Sequence, residues 1–455
     1  MNRSQYTFWL PIGLYFLANS FASAVNAAML EDVPRRVAGE DIWIAQITPD
    51  DTLGAEASVV TPDVSIQGDL ADQIEGGAVR GDNLFHSFQE FNVNTGQRVY
   101  FANPSGIENI LGRVNGGNLS NIDGLLGVNG GANLFLLNPN GIVFGPNAEL
   151  DIRGSFLAST GDRFTFADGS GFSATNPQAG ALLTVSVPLG VQYGVNPGSI
   201  INQGDLSVVQ DLTLAAGTVT HTGALATDFG NLVIDGVVGD VVLQGNTAST
   251  VGNTTLQASN RVEVNNSSLQ SGGQLTVEGN QAIDIANSTV SSGRDMVFRA
   301  PVRQLGNGTT FRTGGYFITK ELDGSLVDFL IPHEQVIVAA GDVQFTQNYT
   351  GPSLYILAGG SVAATADVTD IEITGTGDGA VTAIIGDGLG GVQQMTVNSW
   401  NQPTLDIRAG IDWNQMPGTL PESAAIAGIR VSIDSPAGSN VQLDTRVCFK
   451  TTTTS

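Results

Sequence analysis

Charged side chains that could act together in catalysis are grouped between positions 284 and 299. They are Asp284, Asp295, Arg294 and Arg299. Two carboxylates at a defined separation can act as acid and base on a glycosidic bond. Nothing in their spacing separates these residues from ordinary surface charge, so a polysaccharide-active enzyme stands as an alternative to a non-enzymatic protein.

Metal-binding residue types are sparse and far apart. The histidines His86, His221 and His333 have no second histidine or cysteine at ligand spacing, and Cys448 is the only cysteine. A zinc site needs several such ligands close together, and one cysteine cannot form an intrachain disulfide. We therefore predict no cofactor and no metal site at these residues.

Two Gly-Asp-Gly sequences, at 377–379 and 386–388, lie nine residues apart. Nonapeptide repeats rich in Gly and Asp bind Ca²⁺ between the turns of some β-structures. Two copies without the rest of that pattern favour ordinary turns between strands.

The most distinctive short motif is a turn. Residues 138–142 read NPNGI, and Asn103–Pro104 repeats its first two letters. Asn-Pro-Asn-Gly predicts a tight turn with Gly141 at positive φ, because glycine lacks the Cβ that makes this conformation costly. A recognition role for this turn is a separate hypothesis.

Short strands surround these turns. Between residues 83 and 161, apolar clusters at 99–101, 134–137 and 142–144 alternate with Asn and Gly. No stretch keeps the apolar spacing of a helix. Brief branched or aromatic runs bounded by Asn, Gly and Pro are typical of strands joined by tight turns, so the sequence predicts an all-β fold.

An internal repeat indicates how the strands are arranged. NSSLQSGGQLTV at 266–277 aligns with NSTVSSGRDMVF at 287–298, so that Asn266 matches Asn287 at an offset of 21 residues. Such a unit buries its apolar face only by stacking on its neighbours. Three short strands and three corners per unit predict a parallel β-helix, a single-chain solenoid in which Asn266 and Asn287 stack as an amide ladder.

The ends and one interior segment depart from the repeat. We expect residues 28–80 to form an N-terminal cap, because an uncovered edge strand invites pairing with other chains. Residues 302–345 interrupt the pattern and are predicted to leave the rod as a hairpin excursion. Prolines between 400 and 430 predict a C-terminal cover.

The composition suits an extended β-structure and argues against nucleic-acid binding. Charged residues make up 13% of the chain, Gly accounts for 58 of its 455 residues, and the net charge is −25. Helical proteins normally carry many exposed Glu and Lys, and a strongly acidic chain repels phosphate backbones. We attribute the acidity to colloidal solubility.

The first 27 residues have the features of a secretory signal peptide. Arg3 precedes an apolar run at 8–17, and small residues allow cleavage after Ala24 or Ala27. The run is too short for a spanning helix, which needs roughly 20 residues. We predict a chain exported through the periplasm, with no membrane-spanning segment in its mature form.

Residues 81–195 resemble the N-terminal secretion domain of filamentous hemagglutinin-type exoproteins, which are exported by two-partner secretion systems. The matching sequences occur in order and include NLFHSF at 83–88, IENILGRVNGG at 107–117, NLFLL at 133–137, NPNGI at 138–142 and GSFLAST at 154–160. The family's NPNL motif is partly matched by NPSG at 103–106.

The resemblance implies a right-handed β-helix that leaves the cell through an outer-membrane β-barrel transporter with POTRA domains. It implies that the transporter recognises this domain, with the candidate motif residues Asn138, Pro139, Asn140, Gly141, Ile142, Asn103 and Pro104.

The predicted organisation has four parts: a signal peptide at 1–27, a cap and secretion domain at 28–195, a β-helix passenger at 196–430 and a C-terminal tail at 431–455. We expect a non-enzymatic rod, secreted or held at the cell surface, that acts as an adhesin toward a receptor on a host or neighbouring cell. A secretion module of a larger effector is a further alternative.

Overall fold

Short β-strands make up almost all the regular structure of the residues that the structure describes. The computed structural model describes residues 46–177, 188–305, 309–323, 329–330, 335–345, 349–351, 353–364, 370–373, 380–386, 392–398, 404–410, 432–434, 440–443 and 450–451. Within these residues the helical element is a 3-10 turn at Gly54–Glu56.

The strands follow one another at short intervals. The first group is β1 (Ile47–Pro49), β2 (Ser58–Ile66), β3 (Asp69–Gly76), β4 (Ala78–Arg80), β5 (Asn83–Phe91), β6 (Arg98–Ala102), β7 (Asn109–Val114), β8 (Ser120–Ile122), β9 (Leu125–Asn129), β10 (Asn133–Leu137), β11 (Ile142–Phe144), β12 (Glu149–Asp151) and β13 (Phe156–Ser159). A separate sheet follows, made of β14 (Arg163–Phe166), β15 (Gly171–Ser173) and β16 (Pro188–Gln192).

Regular coils continue after this sheet. They contain β17 (Ile200–Asn202), β18 (Asp205–Val208), β19 (Leu212–Ala216), β20 (Val219–His221), β21 (Ala224–Thr227), β22 (Leu232–Gly236), β23 (Val241–Gln244), β24 (Thr247–Thr250), β25 (Thr254–Ala258), β26 (Arg261–Asn265), β27 (Ser268–Ser271), β28 (Leu275–Gly279), β29 (Ala282–Ala286), β30 (Thr289–Ser292), β31 (Met296–Arg299), β32 (Val302–Leu305), β33 (Thr310–Thr313) and β34 (Phe317–Lys320).

The remaining described strands lie between residues 329 and 451. They are β35 (Phe329–Leu330), β36 (Gln335–Ala339), β37 (Val343–Phe345), β38 (Tyr349–Gly351), β39 (Leu354–Ala358), β40 (Val362–Ala364), β41 (Asp370–Ile373), β42 (Ala380–Gly386), β43 (Val392–Asn398), β44 (Thr404–Arg408), β45 (Ser432–Asp434), β46 (Asn440–Leu443) and β47 (Lys450–Thr451).

Three long sheets form the faces of the solenoid. Sheet A has 14 strands and follows β5-β7-β10-β13-β19 to β40, sheet B has 15 and follows β3-β6-β9-β12-β18 to β46, and sheet C has eight, from β8 to β32. Each regular coil contributes one strand to C, then B, then A, and successive coils pair in parallel, as in β26 with β29, β27 with β30 and β28 with β31. The prediction of an all-β parallel β-helix is confirmed.

The 21-residue repeat is visible in the strand register. Leu269 pairs with Val290 and Leu275 with Met296, and the corner residues Asn266 and Asn287 share positive φ values of 50° and 48°. The predicted ladder between these two side chains is wrong, because the Asn287 amide donates to Asn265 Oδ1 instead, at 3.5 Å.

An amide ladder does occur earlier in the rod. Asn109 Nδ2 donates to Asn83 Oδ1, and Asn133 Nδ2 donates to Asn109 Oδ1, both at 3.0 Å. The Asn133 oxygen then accepts the backbone N–H of Ser155 at 2.8 Å. The amides therefore join four consecutive coils in the direction of the chain.

One continuous apolar core runs along the axis. Strand residues alternate between this core and the surface, as in β28, where Leu275 and Val277 are buried and Thr276 and Glu278 are half-buried. Phe298, Phe311 and Phe317 fill the core with ring centroids 5.5–5.7 Å apart. Burying each such side chain stabilises the stack by about 1.5–3 kcal/mol.

Antiparallel strands cover the start of the rod. The β2–β3 hairpin ends sheet B, where β3 pairs in parallel with β6, and β1 lies antiparallel on β5 at the start of sheet A. The described part of the predicted N-terminal cap thus has the expected form.

The predicted excursion is wrong for the described strands between 302 and 320, and most of its other segment, 326–332, lies outside the described residues. β33 and β34 stay in the stack, since Thr310 pairs with Thr289 and Phe317 with Met296 at the same 21-residue offset. The chain leaves the stack instead at residues 163–192, as the antiparallel sheet β15-β14-β16, and at 380–398, as the β42–β43 hairpin.

The β14–β16 sheet forms a second core on the outer face of sheet A. Phe85 and Leu111 project outward there and are completely buried against Phe164 and Phe172. The Phe85 and Phe172 rings meet edge to face at 5.0 Å. Burial on both faces explains the long apolar runs in this part of the sequence.

Several predictions fall outside the described residues. These are the signal peptide at 1–27, His333, Cys448, the Gly-Asp-Gly sequence at 377–379, the aspartate of the second such sequence, and the prolines of the C-terminal cover. β46 pairs in parallel with β44, so stacked strands extend into the predicted tail. In the described part of the chain, no helix has the length and apolarity needed to cross a membrane.

Candidate functional site

The NPNGI turn joins β10 on sheet A to β11 on sheet C, and a buried side chain anchors it. Asn138 is fully buried, and its Nδ2 donates to the Asn118 carbonyl oxygen at 3.1 Å and to Ser120 Oγ at 3.0 Å. Its Oδ1 accepts the backbone N–H of Asn140 at 3.0 Å. Asparagine suits this position because its amide is both donor and acceptor.

The next coil holds the other side of the turn. Gly198 N–H donates to the Pro139 carbonyl at 2.9 Å, and Ile142 N–H donates to the Ser199 carbonyl at 3.0 Å. Gly141 has the predicted positive φ, 128°, and a Cβ there would lie 3.1 Å from the Ser199 carbonyl oxygen. The turn is therefore a rigid part of the rod.

The exposed part of the motif is small. Asn140 is exposed and Pro139 half-buried, whereas Ile142 is fully buried. Asn140 Nδ2 donates to the Gly116 carbonyl at 2.8 Å, which ties the turn to the loop that carries exposed Leu119 (47% exposed). We call Asn118, Leu119, Pro139 and Asn140 the NPNGI patch. Sequence inspection missed Leu119, since its exposure depends on how the two loops meet.

The second predicted motif lies at another corner of the rod. Asn103 follows β6 on sheet B, and its Oδ1 accepts the N–H groups of Gly131 and Ala132 at 3.0 and 3.1 Å. Its Nδ2 donates to the Ile107 carbonyl at 2.9 Å, and Pro104 is exposed. Among the hydrogen bonds of the described residues, none joins Asn103 or Pro104 to the NPNGI turn.

A buried arginine beneath the β14–β16 sheet was not predicted. Arg113 is 1% exposed, and its guanidinium donates to Ser87 Oγ at 2.9 Å, Thr52 Oγ1 at 2.8 Å and the Ser173 carbonyl at 2.7 Å. The guanidinium also lies 4.3 Å from the centre of the Phe172 ring. These contacts join the cap, the first coils and the separate sheet.

Asp50 supplies the negative charge of this cluster. Its carboxylate accepts from Thr52 Oγ1 at 2.6 Å and from Ser87 Oγ at 2.8 Å, and it also accepts from Asn115 Nδ2. Burial lowers the pKa of Arg113 to about 10, an effect that the charge of Asp50 opposes. Arg113 therefore stays protonated at neutral pH. Asp50, Thr52, Ser87, Arg113, Asn115 and the Ser173 carbonyl form what we call the Arg113 cluster.

The two described histidines are buried inside the rod. His86 Nδ1 lies 3.0 Å from Ser58 Oγ, and His221 Nδ1 lies 2.9 Å from Asn202 Nδ2. Burial lowers the pKa of His86 to about 3 and that of His221 to about 4. Both are thus neutral packing residues, and the described residues contain no cluster of three or more His, Cys, Asp or Glu that could hold a metal.

The structure separates the carboxylates considered for catalysis. Asp284 lies on β29 of sheet C, whereas Asp295 lies in the corner before β31 of sheet A and accepts the Tyr316 N–H at 3.0 Å. Arg299 pairs with Glu278 at 3.4 Å. The grouping in the sequence therefore does not become one site.

The Arg113 cluster, the NPNGI turn and the first regular coils lie in one segment that matches a known family. The TPS secretion domain family matches residues 45–276, just over half of the chain. The chain belongs to the TPS secretion domain family. It is a two-partner secretion exoprotein, exported from the cell by a cognate outer-membrane transporter.

Solved TPS domains align with this chain at low identity. The HMW1 secretion domain from Haemophilus influenzae is 16% identical, with 72% of this chain and 94% of that chain covered and a TM-score of 0.38. The filamentous hemagglutinin secretion domain is also 16% identical, with 65% and 100% covered and a TM-score of 0.28. No curated protein sequence matches the chain.

The TPS match passes the predicted domain boundary at residue 195. At that point the chain returns from β16 to β17, and β17 pairs in parallel with β11 on sheet C. The coils before and after the boundary share one apolar core. The boundaries at 27, 195 and 430 stay predictions.

Proposed function

We propose that the NPNGI patch is the surface of the TPS domain that the transporter recognises, through POTRA domains on its periplasmic side. The observation that carries this proposal is that the motif contains both buried residues, which hold the turn, and exposed residues, which a partner can reach. Asn138 and Ile142 are buried and hold the turn, while Asn140 and the neighbouring Leu119 are exposed. An exposed leucine flanked by amides offers both apolar contact and hydrogen bonds to a partner.

Export assays with paired variants test this proposal. Leu119→Ser and Asn140→Ala are expected to lower the fraction of protein that reaches the medium, because they change the patch without removing a buried anchor. Leu70→Ser is the matched control, since Leu70 is 63% exposed on the β2–β3 hairpin. Normal export of the Leu119→Ser/Asn140→Ala double variant would rule the patch out.

We also propose that the coils from β24 onward, which begin within the TPS match and continue past it, form a non-enzymatic adhesive rod, secreted or retained at the surface, that contacts a receptor on another cell. The outward residues of β24, β27, β30 and β33 are mainly Thr, Ser and Gln, which suits contact with polar surfaces. The separation of Asp284 from Asp295 favours this function over polysaccharide cleavage.

Adhesion of purified protein to intact cells tests the second proposal. Immobilised full chain is expected to retain cells, and a preparation unfolded by heat serves as the control. Release of reducing ends or unsaturated products from polysaccharides, without any cell retention, would favour the enzyme instead.

A further inference from the structure

A groove runs along the rod where sheet B turns toward sheet A. It has a volume of about 520 Å³ and crosses the coils of β24, β27, β30 and β33. Its wall includes the outward residues Ser249, Gln270, Ser291 and Arg312, which the strand register places in one row. With coils about 4.8 Å apart, this row is about 15 Å long.

Glycine corners keep the groove open. Gly272, Gly293 and Gly314 follow one another along its floor. A Cβ on Gly293 would overlap the Gly272 carbonyl oxygen, and one on Gly314 would overlap that of Gly293. Coil stacking thus requires glycine here, and the corners consequently carry no side chains that could fill the trough.

The β42–β43 hairpin lies near one end of the groove. β42 lies against β33 and β36. Val336 and Val338 are in register with Thr310 and Arg312 and face outward, yet both are buried. The row of polar side chains therefore ends at Val338, and the hydrogen-bonding part of the groove lies along the coils that precede it.

The groove offers hydrogen-bonding groups without negative charge. Ser249, Ser291 and Arg312 make no side-chain hydrogen bonds within the described residues, and Gln270 Nε2 donates to Ser268 Oγ at 3.2 Å. Its lining contains Arg312 and no carboxylate, although the whole chain carries a net charge of −25. The groove presents free donors and acceptors in a repeated row.

We propose that this groove binds an extended, uncharged polysaccharide. A linear glycan carries hydroxyl groups at regular intervals along its length, and such groups can pair with the repeated Ser and Gln side chains. Polyanions are disfavoured because the surrounding protein is strongly acidic. The inference rests on the proposed adhesive role and names the class of molecule that the rod would contact.

Native gel electrophoresis of the exported full chain tests this inference, because the acidic protein migrates readily. Gels contain hydroxyethyl cellulose, dextran or galactomannan as neutral probes and alginate as a charged probe. At least one neutral probe is expected to slow migration. Ser291→Trp, which fills the groove, is expected to weaken this affinity at least tenfold, and Gln270→Ala is expected to weaken it with a smaller change to the surface.

Thr276→Trp is the matched control, since Thr276 faces outward from sheet A in the coil that contains Gln270. Absence of retardation by every neutral probe, or equal retardation of the Ser291→Trp and Thr276→Trp proteins, overturns the inference. Retardation by alginate alone, lost in Arg312→Gln, also overturns it. Export and cell retention of the same variants are measured as well. These two assays distinguish failure of the groove inference from failure of the proposed adhesive function.

Discussion

Arg113 Nη1 donates a hydrogen bond of 2.7 Å to the carbonyl oxygen of Ser173, which lies 60 residues later in the chain. The same guanidinium reaches back 61 residues to Thr52. Because these contacts use the cap, one of the first coils and the separate sheet, the start of the rod is complete only when all three segments have come together.

Replacing Arg113 should destabilise the start of the rod. Arg113→Ala removes the donor shared by buried Ser87 and half-buried Thr52, and it removes the positive charge beside half-buried Asp50. Buried polar groups left without a partner cost about 1–3 kcal/mol. The measurement is the denaturant midpoint together with protease resistance of residues 46–192.

Arg163→Ala is the control for this change, because exposed Arg163 donates only to Gln192 Oε1 at the surface. It is expected to alter stability by no more than about 0.5 kcal/mol. Equal midpoints for the two variants would show that the Arg113 cluster does not hold the segments together.

Two adjacent glycines should respond very differently to alanine. A Cβ at Gly116 would overlap the Gln89 carbonyl oxygen, whereas a Cβ at Gly117 meets nothing within 4 Å. Gly116→Ala is therefore expected to cost about 1–3 kcal/mol through overpacking, and Gly117→Ala almost nothing. Thermal unfolding of both proteins checks this, and an intact midpoint in Gly116→Ala would contradict the stacking shown here.

Within the NPNGI motif, the buried asparagine should contribute more to stability than the exposed one. Asn138→Ala removes two donated hydrogen bonds in a buried site and is expected to cost about 1–3 kcal/mol. Asn140→Ala removes two hydrogen bonds donated by an exposed side chain, to the Gly116 carbonyl and to Asn138 Oδ1, and should cost less than about 1 kcal/mol because water can replace them. Chemical denaturation measures both, and a greater loss in Asn140→Ala would reverse the roles assigned to these side chains.

Lowering the pH should reduce the free energy of unfolding of the rod, because of its buried histidines. His86 and His221 have pKa values lowered to about 3 and about 4, against about 6.5 in an unfolded chain. Their contribution is complete above pH 6.5 and is lost as pH falls toward the folded values, by about 1.4 kcal/mol per histidine and pH unit.

The slope of stability between pH 6.5 and 5.5 measures this effect. His86→Asn and His221→Asn should each reduce it. Burial raises the pKa of Asp235 and Glu263, and this favours the folded state as pH falls. Both carboxyl groups are present in the original protein and in the histidine variants, so the difference between their slopes measures the histidine contribution. An unchanged slope in both variants would show that neither histidine is buried as a neutral group.

The sequence predicted the coil because its apolar residues recur at a fixed interval. Leu269 over Val290 and Leu275 over Met296 follow from one offset, and a repeat that cannot bury its apolar face alone must stack. The NPNGI turn was also predictable, since Asn, Pro and Gly restrict the backbone locally.

The segments that leave the stack were predicted at the wrong positions, because the pattern of a single strand does not show how that strand pairs. β14 is as short as the coil strands and has the same alternating burial, and its antiparallel pairing is what distinguishes it. Whether two strands pair in parallel or antiparallel depends on both of them. The alternation of side chains within one strand therefore does not predict the direction of its pairing.

By itself, then, the sequence determined the all-β solenoid, the period of its coils and the turn at Asn138, because local backbone preferences and regular apolar spacing act over about 20 residues. Only the tertiary structure decided which side chains meet: Arg113 with Thr52 and Ser173, Asn140 with Gly116, and the polar row beside the glycine corners. These contacts join residues from different coils or from outside the stack, and their geometry exists only once the coils have packed.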